Sequence, residues 1–180
     1  MNPVKQLFKR NKPVIRSFEY PDFEEGKSGD LPILWDAYKR NELPDMPEGI
    51  EMDVFVEIAE EMRNQLFEVK VVEDLVGDAY EPVAFVFVKD ASGDGWQIEP
   101  HVVYLDTANL RHKLRSYVAY LKKTKYRKDI GACVLRVDKE TTKLANRAEK
   151  YGLLEYVGKI WGGRPDGNDY LYSVRCNRRH

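Results

Sequence analysis

Cysteine and histidine are scarce in this 180-residue chain, and long apolar runs are missing altogether. Cys133 and Cys176 are the only cysteines and stand alone, while His101, His112 and His180 fall at no ligand spacing. This excludes a disulfide scaffold and a clustered metal site. The longest apolar stretch, around Val83 to Val88, stops at Lys89, far short of a membrane span. The first sixteen residues alternate basic and apolar positions instead of forming the continuous apolar core of a secretory signal. A cytoplasmic protein with reduced thiols and no membrane partner is the expectation.

Charge is lacking locally rather than globally. The formal net charge is −1, yet residues 1–16 hold Lys5, Lys9, Arg10, Lys12 and Arg16 and no acid. Residues 42–81 hold thirteen acids against Arg63 and Lys70, and residues 111–128 hold eight cations and no carboxylate. Segregated blocks of this kind either solvate helix faces or steer docking onto a surface of opposite sign.

What is present is a regular alternation of elements. Residues 1–13 read as a basic arm, 14–176 as one domain and 177–180 as a tail. Val14 to Tyr20 alternates loosely up to Pro21, a first strand. Asp30 supplies an N-cap to a short helix with Leu31, Leu34, Trp35 and Tyr38 at helical spacing. A second helix places Val54, Ile58, Met62 and Leu66 on one face. Phe67–Leu75, Val83–Val88 and Trp96–Asp106 read as strands joined by hairpin turns, with a bulge or open edge at Pro100, which has no N–H to give to a ladder. Leu114, Tyr117, Val118 and Leu121 trace the buried side of a third helix, and Ile130–Val137 is a strand. Thr141 caps a fourth helix that ends at Gly152, and Leu153–Trp161 with Asp169–Cys176 forms a closing hairpin. A strand, crossover helix and strand from Trp96 to Val137 require one parallel pair. The fold class is α/β (α+β): a single domain with a mixed, mostly antiparallel sheet, one splayed parallel pair and helices on both faces.

This order over residues 14–176 resembles the GNAT family of N-acetyltransferases. The nearest local likeness is Asp138-Lys139-Glu140-Thr141 followed by a helix finishing Ala148-Glu149-Lys150-Tyr151-Gly152-Leu153. The sequence also looks like the small GNAT-type proteins of tailed phages, some of which belong to virion assembly sets. The resemblance implies an acetyl-coenzyme A site at the loop before the third helix, where Asn109, Leu110, Arg111 and Lys113 would be the cofactor-binding residues, and an amine-deprotonating pair in Glu99 and His101, which period-two spacing places on one face. Two family features are missing. The loop Asp106–Lys113 has no glycine to let backbone N–H groups approach a pyrophosphate, and the position of the acid tyrosine, four residues before Gly152, is Ala148.

The expected function is therefore a GNAT-fold protein with an eroded acetyl-coenzyme A site, a non-catalytic binding or assembly component of a virion or another assembly, with no cofactor. The alternative is an acetyl-coenzyme A-dependent N-acetyltransferase. On the first reading the partner is a protein or a second copy, met through Lys122, Lys123, Lys125, Arg127 and Lys128. The same cations interleaved with Tyr117, Tyr120 and Tyr126 give a third reading, nucleic-acid binding. Gly26-Lys27-Ser28 is a chance likeness to a phosphate loop, because the glycine needed upstream is Pro21.

Overall fold

Apolar residues at every second position, broken by glycine and aspartate turns, build a sheet before any helix needs a partner. The computed structural model describes residues 11–43, 46–137, 142–164 and 167–176. In chain order these form β1 (Val14–Ser17), α1 (Leu31–Lys39), α2 (Met52–Gln65), β2 (Glu68–Val76), β3 (Ala79–Asp90), β4 (Gln97–Tyr104), α3 (Leu110–Lys125), β5 (Ala132–Val137), α4 (Thr142–Lys150), β6 (Glu155–Arg164) and β7 (Gly167–Arg175). They make one seven-stranded sheet ordered β1-β2-β3-β4-β5-β7-β6. Every pairing is antiparallel except β4 with β5.

That parallel pair holds at its start only. Gln97 pairs with Ala132 and Ile98 with Cys133, and no further ladder pair follows. The cause is legible in the backbone parity of β4. Trp96 O accepts from Gly131 N at 2.8 Å on the β5 side, whereas Gln97 O accepts from Ala91 N at 2.7 Å and Leu105 N donates to Val83 O at 3.0 Å on the β3 side. Even-numbered residues of β4 therefore turn their backbone groups to β5, and Pro100 is one of them. Its missing N–H leaves the β3 ladder untouched, with Val88 opposite Pro100 and no register shift, and removes the next donor toward β5. The edge expected at Pro100 thus opens on one side only, and no pair with β5 follows toward Tyr104. At its closed end, Gly131 lies against the Trp96 indole so tightly that a Cβ there would stand 2.0 Å from the ring.

The sheet buries a core on each face. On the α3–α4 side, Val118 and Leu121 of α3 pack with Val72, Val86, Ile98 and Leu135 of the sheet. On the α1–α2 side, Leu34 of α1 and Phe55 of α2 pack with Phe18, Val71 and Phe85. Two expectations change here. The stripe of α2 is rotated: Val54 is 44% exposed while Phe55 and Ala59 are buried, because the Phe55 ring packs at 4.9 Å from Trp35 and 5.3 Å from Tyr38 and removes more apolar area from water than valine can. Asp30 stands at the N-cap of α1 without a side-chain cap bond. Its carboxylate instead takes Arg16 through both oxygens, at 2.6 and 2.7 Å, and the Glu19 N–H at 2.8 Å. The bidentate guanidinium and the Glu19 N–H together take the lone pairs that a helix cap would use. Gly29 stands just before it with φ +55°, where a Cβ would lie 2.1 Å from Glu19 O.

The closing hairpin is longer than the sequence suggested, with β6 reaching Arg164 and β7 starting at Gly167. The expected cap Thr141, the Asp138–Thr141 segment, residues 1–10 of the basic arm and the 177–180 tail lie outside the described residues. Among the described residues no helix is long and apolar enough to cross a membrane, and no group of histidine, cysteine and carboxylate side chains converges as a metal site.

Candidate functional site

Two regions border β4, one on each face. On the α1–α2 side, the odd-numbered residues Glu99, His101 and Val103 line a cavity of about 460 Å³ under α2. Sequence spacing placed Glu99 and His101 on one face, and the structure brings both into this cavity. The Glu99 carboxylate receives Arg136 Nε at 3.0 Å across the parallel pair. His101 stands beside it, opposite Phe87 of β3.

The other region is the opened gap between β4 and β5, with the β4–α3 loop at its mouth. Beyond Pro100, Val102 and Tyr104 turn their backbone groups into this gap, and Tyr117 of α3 is buried beside them. The Tyr117 hydroxyl is enclosed and has no hydrogen-bond partner among the described residues. Burial pushes the Tyr104 and Tyr117 phenols well above the ordinary tyrosine value. On the far side, Tyr172 donates to Asn146 Oδ1 at 2.5 Å.

Part of the loop at the mouth is committed to contacts within the protein. Asp106 N–H donates to Glu42 Oε1 at 3.1 Å, Thr107 Oγ to Pro82 O at 3.1 Å and Ala108 N–H to Leu105 O at 2.8 Å. Asn109 is the N-cap of α3, and its Oδ1 takes the His112 N–H at 3.0 Å. The four residues named from the sequence as cofactor-binding are thus divided. Asn109 caps the helix, and Leu110 projects outward, 74% exposed. Arg111 lines a separate pocket of about 340 Å³ with Asp74, Gly77 and Arg115. Lys113 alone stands at the gap, its Nζ 5.5 Å from the centroid of the Tyr104 ring.

Glu42 is the residue that sequence reasoning missed. Its side chain is 6% exposed and takes Arg40 Nε at 2.7 Å as well as the loop N–H. Burial works to raise its carboxyl, and hydrogen bonds from Arg40 and Asp106 outweigh burial and hold it below the ordinary value. A contact spanning sixty-four positions leaves no local signal. At the position where the family resemblance implies an acid, Ala148 is fully buried on α4, and Tyr151, three positions on, is half-buried and packs at the rim of the core.

The basic strip is partly spent inside the molecule. Lys123 donates to Ile15 O at 2.8 Å, Lys125 reaches Gly152 O at 3.4 Å, and Arg127 pairs with Glu68 and Asp129. Lys122 is half-buried and Lys128 exposed. Tyr117 and Tyr120 are buried, so Tyr126 is the exposed ring of the three that were candidates for base stacking.

Solved structures share this fold. The spermidine N-acetyltransferase of Vibrio cholerae in complex with CoA and spermine superposes with a TM-score of 0.65 over 92% of this chain and 96% of its own, at 14% identity. The chain has the GNAT acetyltransferase fold. A putative acetyltransferase of Salmonella typhimurium, yncA, solved with acetyl-CoA, matches at 0.60 over 94% and 97% with 11% identity. A GNAT-family acetyltransferase from Bacillus anthracis matches at 0.59 over 92% and 95% with 18% identity. No family model and no curated protein matches the chain in sequence.

Proposed function

We propose that this GNAT-fold chain has lost acetyl-transfer chemistry and works as a binding or assembly component. The observation that carries the reading is the Glu42 carboxylate seated on the Asp106 N–H. Coenzyme A would bring a pyrophosphate to this loop. A helix N-terminus attracts such an anion through free N–H groups and the helix dipole. Here the Asp106, Ala108 and His112 N–H groups are already taken, which leaves those of Leu110 and Arg111 in the first turn of α3, and Glu42 and Asp106 add two carboxylates where phosphate charge would lie. The unpaired edge of β4 and the Tyr117 hydroxyl suit an extended polar ligand in the gap, but the loop does not suit the pyrophosphate. Ala148 has no proton to give a departing thiolate. The resemblance to small phage proteins extends the reading to a virion component, an extension that rests on the sequence alone.

A thermal melt with acetyl-coenzyme A tests it. A ligand present at a hundredfold over its dissociation constant stabilises by about 2.7 kcal/mol, a shift of about 5–10 °C for a domain of this size. No shift is expected up to millimolar acetyl-coenzyme A; a saturable one overturns the reading. The second reading, an N-acetyltransferase, is favoured by Glu99 and His101 sharing one cavity, where either would take a proton from an acceptor amine. On that reading Glu99→Gln lowers acetyl transfer about 10²–10⁴-fold.

A further inference from the structure

The cavity under α2 is graded in polarity along its length. At its inner end Leu34, Phe55, Ala59 and Val103 are all buried and apolar. At its outer end, where α2 gives way to β2 and Phe67 N–H donates to Val88 O, the lining becomes Gln65, Lys89, Glu99 and His101. The cross-strand register sets this order, since Val103, His101 and Glu99 stand opposite Phe85, Phe87 and Lys89 in turn. A volume of about 460 Å³ falls within the range of about 300–1,000 Å³ usual for small-molecule sites.

The outer end carries one cation and one carboxylate, Lys89 and Glu99, which face each other across the β3–β4 pair. Glu99 is paired with Arg136, and Lys89 has no ion-pair partner among the described residues. A polycation gains little there: the single carboxylate already holds a guanidinium, and a second cation would meet Lys89. A carboxylate or similar anion meets Lys89 directly, with Gln65 as a further donor.

From this gradient we propose that the cavity binds a small anionic amphiphile, an apolar body the size of a large amino-acid side chain bearing a carboxylate head, with the body between Phe55 and Val103 and the head at Lys89. This deepens the binding reading above by naming a ligand class. It also separates this chain from the spermidine enzyme that shares its fold. It does not depend on whether acetyl-coenzyme A binds, so the melt with that compound and the titration below fail independently.

Calorimetric titration with 4-phenylbutyrate, 4-phenylbutylamine and spermidine tests the assignment, since the first two share one body and carry opposite heads. Phenylbutyrate is expected to bind at least about tenfold more tightly than the amine, with no saturable heat from spermidine, and one factor of ten corresponds to about 1.4 kcal/mol. Lys89→Glu alters an exposed side chain and leaves the core intact, and it is expected to reverse the preference between the two heads. Ala59→Met, read alongside a circular dichroism check of folding, is expected to abolish binding of both by filling the inner end. Preferential binding of spermidine or the amine, no binding of any probe, or a preference indifferent to Lys89→Glu overturns the proposal.

Discussion

Arg115 in α3 carries a charge that is almost wholly withdrawn from water. Its Nε lies 2.7 Å from Asp74 Oδ2, and its Nη2 lies 2.8 Å from Asp74 Oδ1; the two side chains are 6% and 1% exposed. The same Nη2 also donates to Asn11 O, so one guanidinium ties α3 to β2 and to the chain entering β1. Removing one member of a buried pair leaves the other uncompensated. Arg115→Ala is expected to cost about 3–5 kcal/mol in urea unfolding, whereas replacing both partners by apolar residues costs much less. Glu42 makes a second prediction. Its carboxyl is held below the ordinary value in the folded chain, so the stability it contributes is present above the unfolded value and lost as pH falls through the folded one. Wild type and Glu42→Gln should therefore differ in melting temperature at pH 7 and converge in the acid range below the usual glutamate value. A gap that persists unchanged to the acid limit contradicts this account of Glu42.

At the scale of elements, the closed end of the β4–β5 pair depends on the absence of a side chain at Gly131. A methyl group there meets the Trp96 indole, and overpacking of this kind costs about 1–3 kcal/mol. Gly131→Ala should destabilise by that amount, and Trp96→Ala should relieve the clash in the double variant; additive losses contradict the contact. Elements were legible where period and punctuation agree. Leu114, Tyr117, Val118 and Leu121 lie on the inner side of α3 as their spacing requires, and Pro100 marks where the parallel pair opens. The rotation of α2 was not legible, since Val54 and Phe55 are both apolar neighbours and the choice between them is made by rings on α1. The site was half legible. Glu99 and His101 share a face by strand geometry, but the cavity roofing them and the carboxylate occupying the Asp106 N–H come from residues distant in sequence.

At the scale of the whole molecule, the three charge blocks fold into a structure that uses part of them internally. Lys123 and Arg127 hold β1 and β2 against the end of α3, while Lys128 stays in water. An assembly role through this end of α3 should weaken with salt as the screening length falls from about 10 Å at 0.1 M to about 3 Å at 1 M. Lys122→Glu combined with Lys128→Glu should reduce self-association or partner capture in sedimentation while spectra of the fold stay unchanged. Association that ignores both salt and the double reversal returns these cations to solubility alone.

On the proposed reading, the Glu42 carboxylate on the Asp106 N–H keeps a pyrophosphate from the β4–α3 loop. Calorimetric titration of the wild-type chain and of Glu42→Gln with acetyl-coenzyme A tests this directly. No saturable heat is expected from the wild type, and measurable binding is expected once the carboxylate charge is removed. Tight, saturable binding by the wild type, weakened or unaltered in Glu42→Gln, contradicts it.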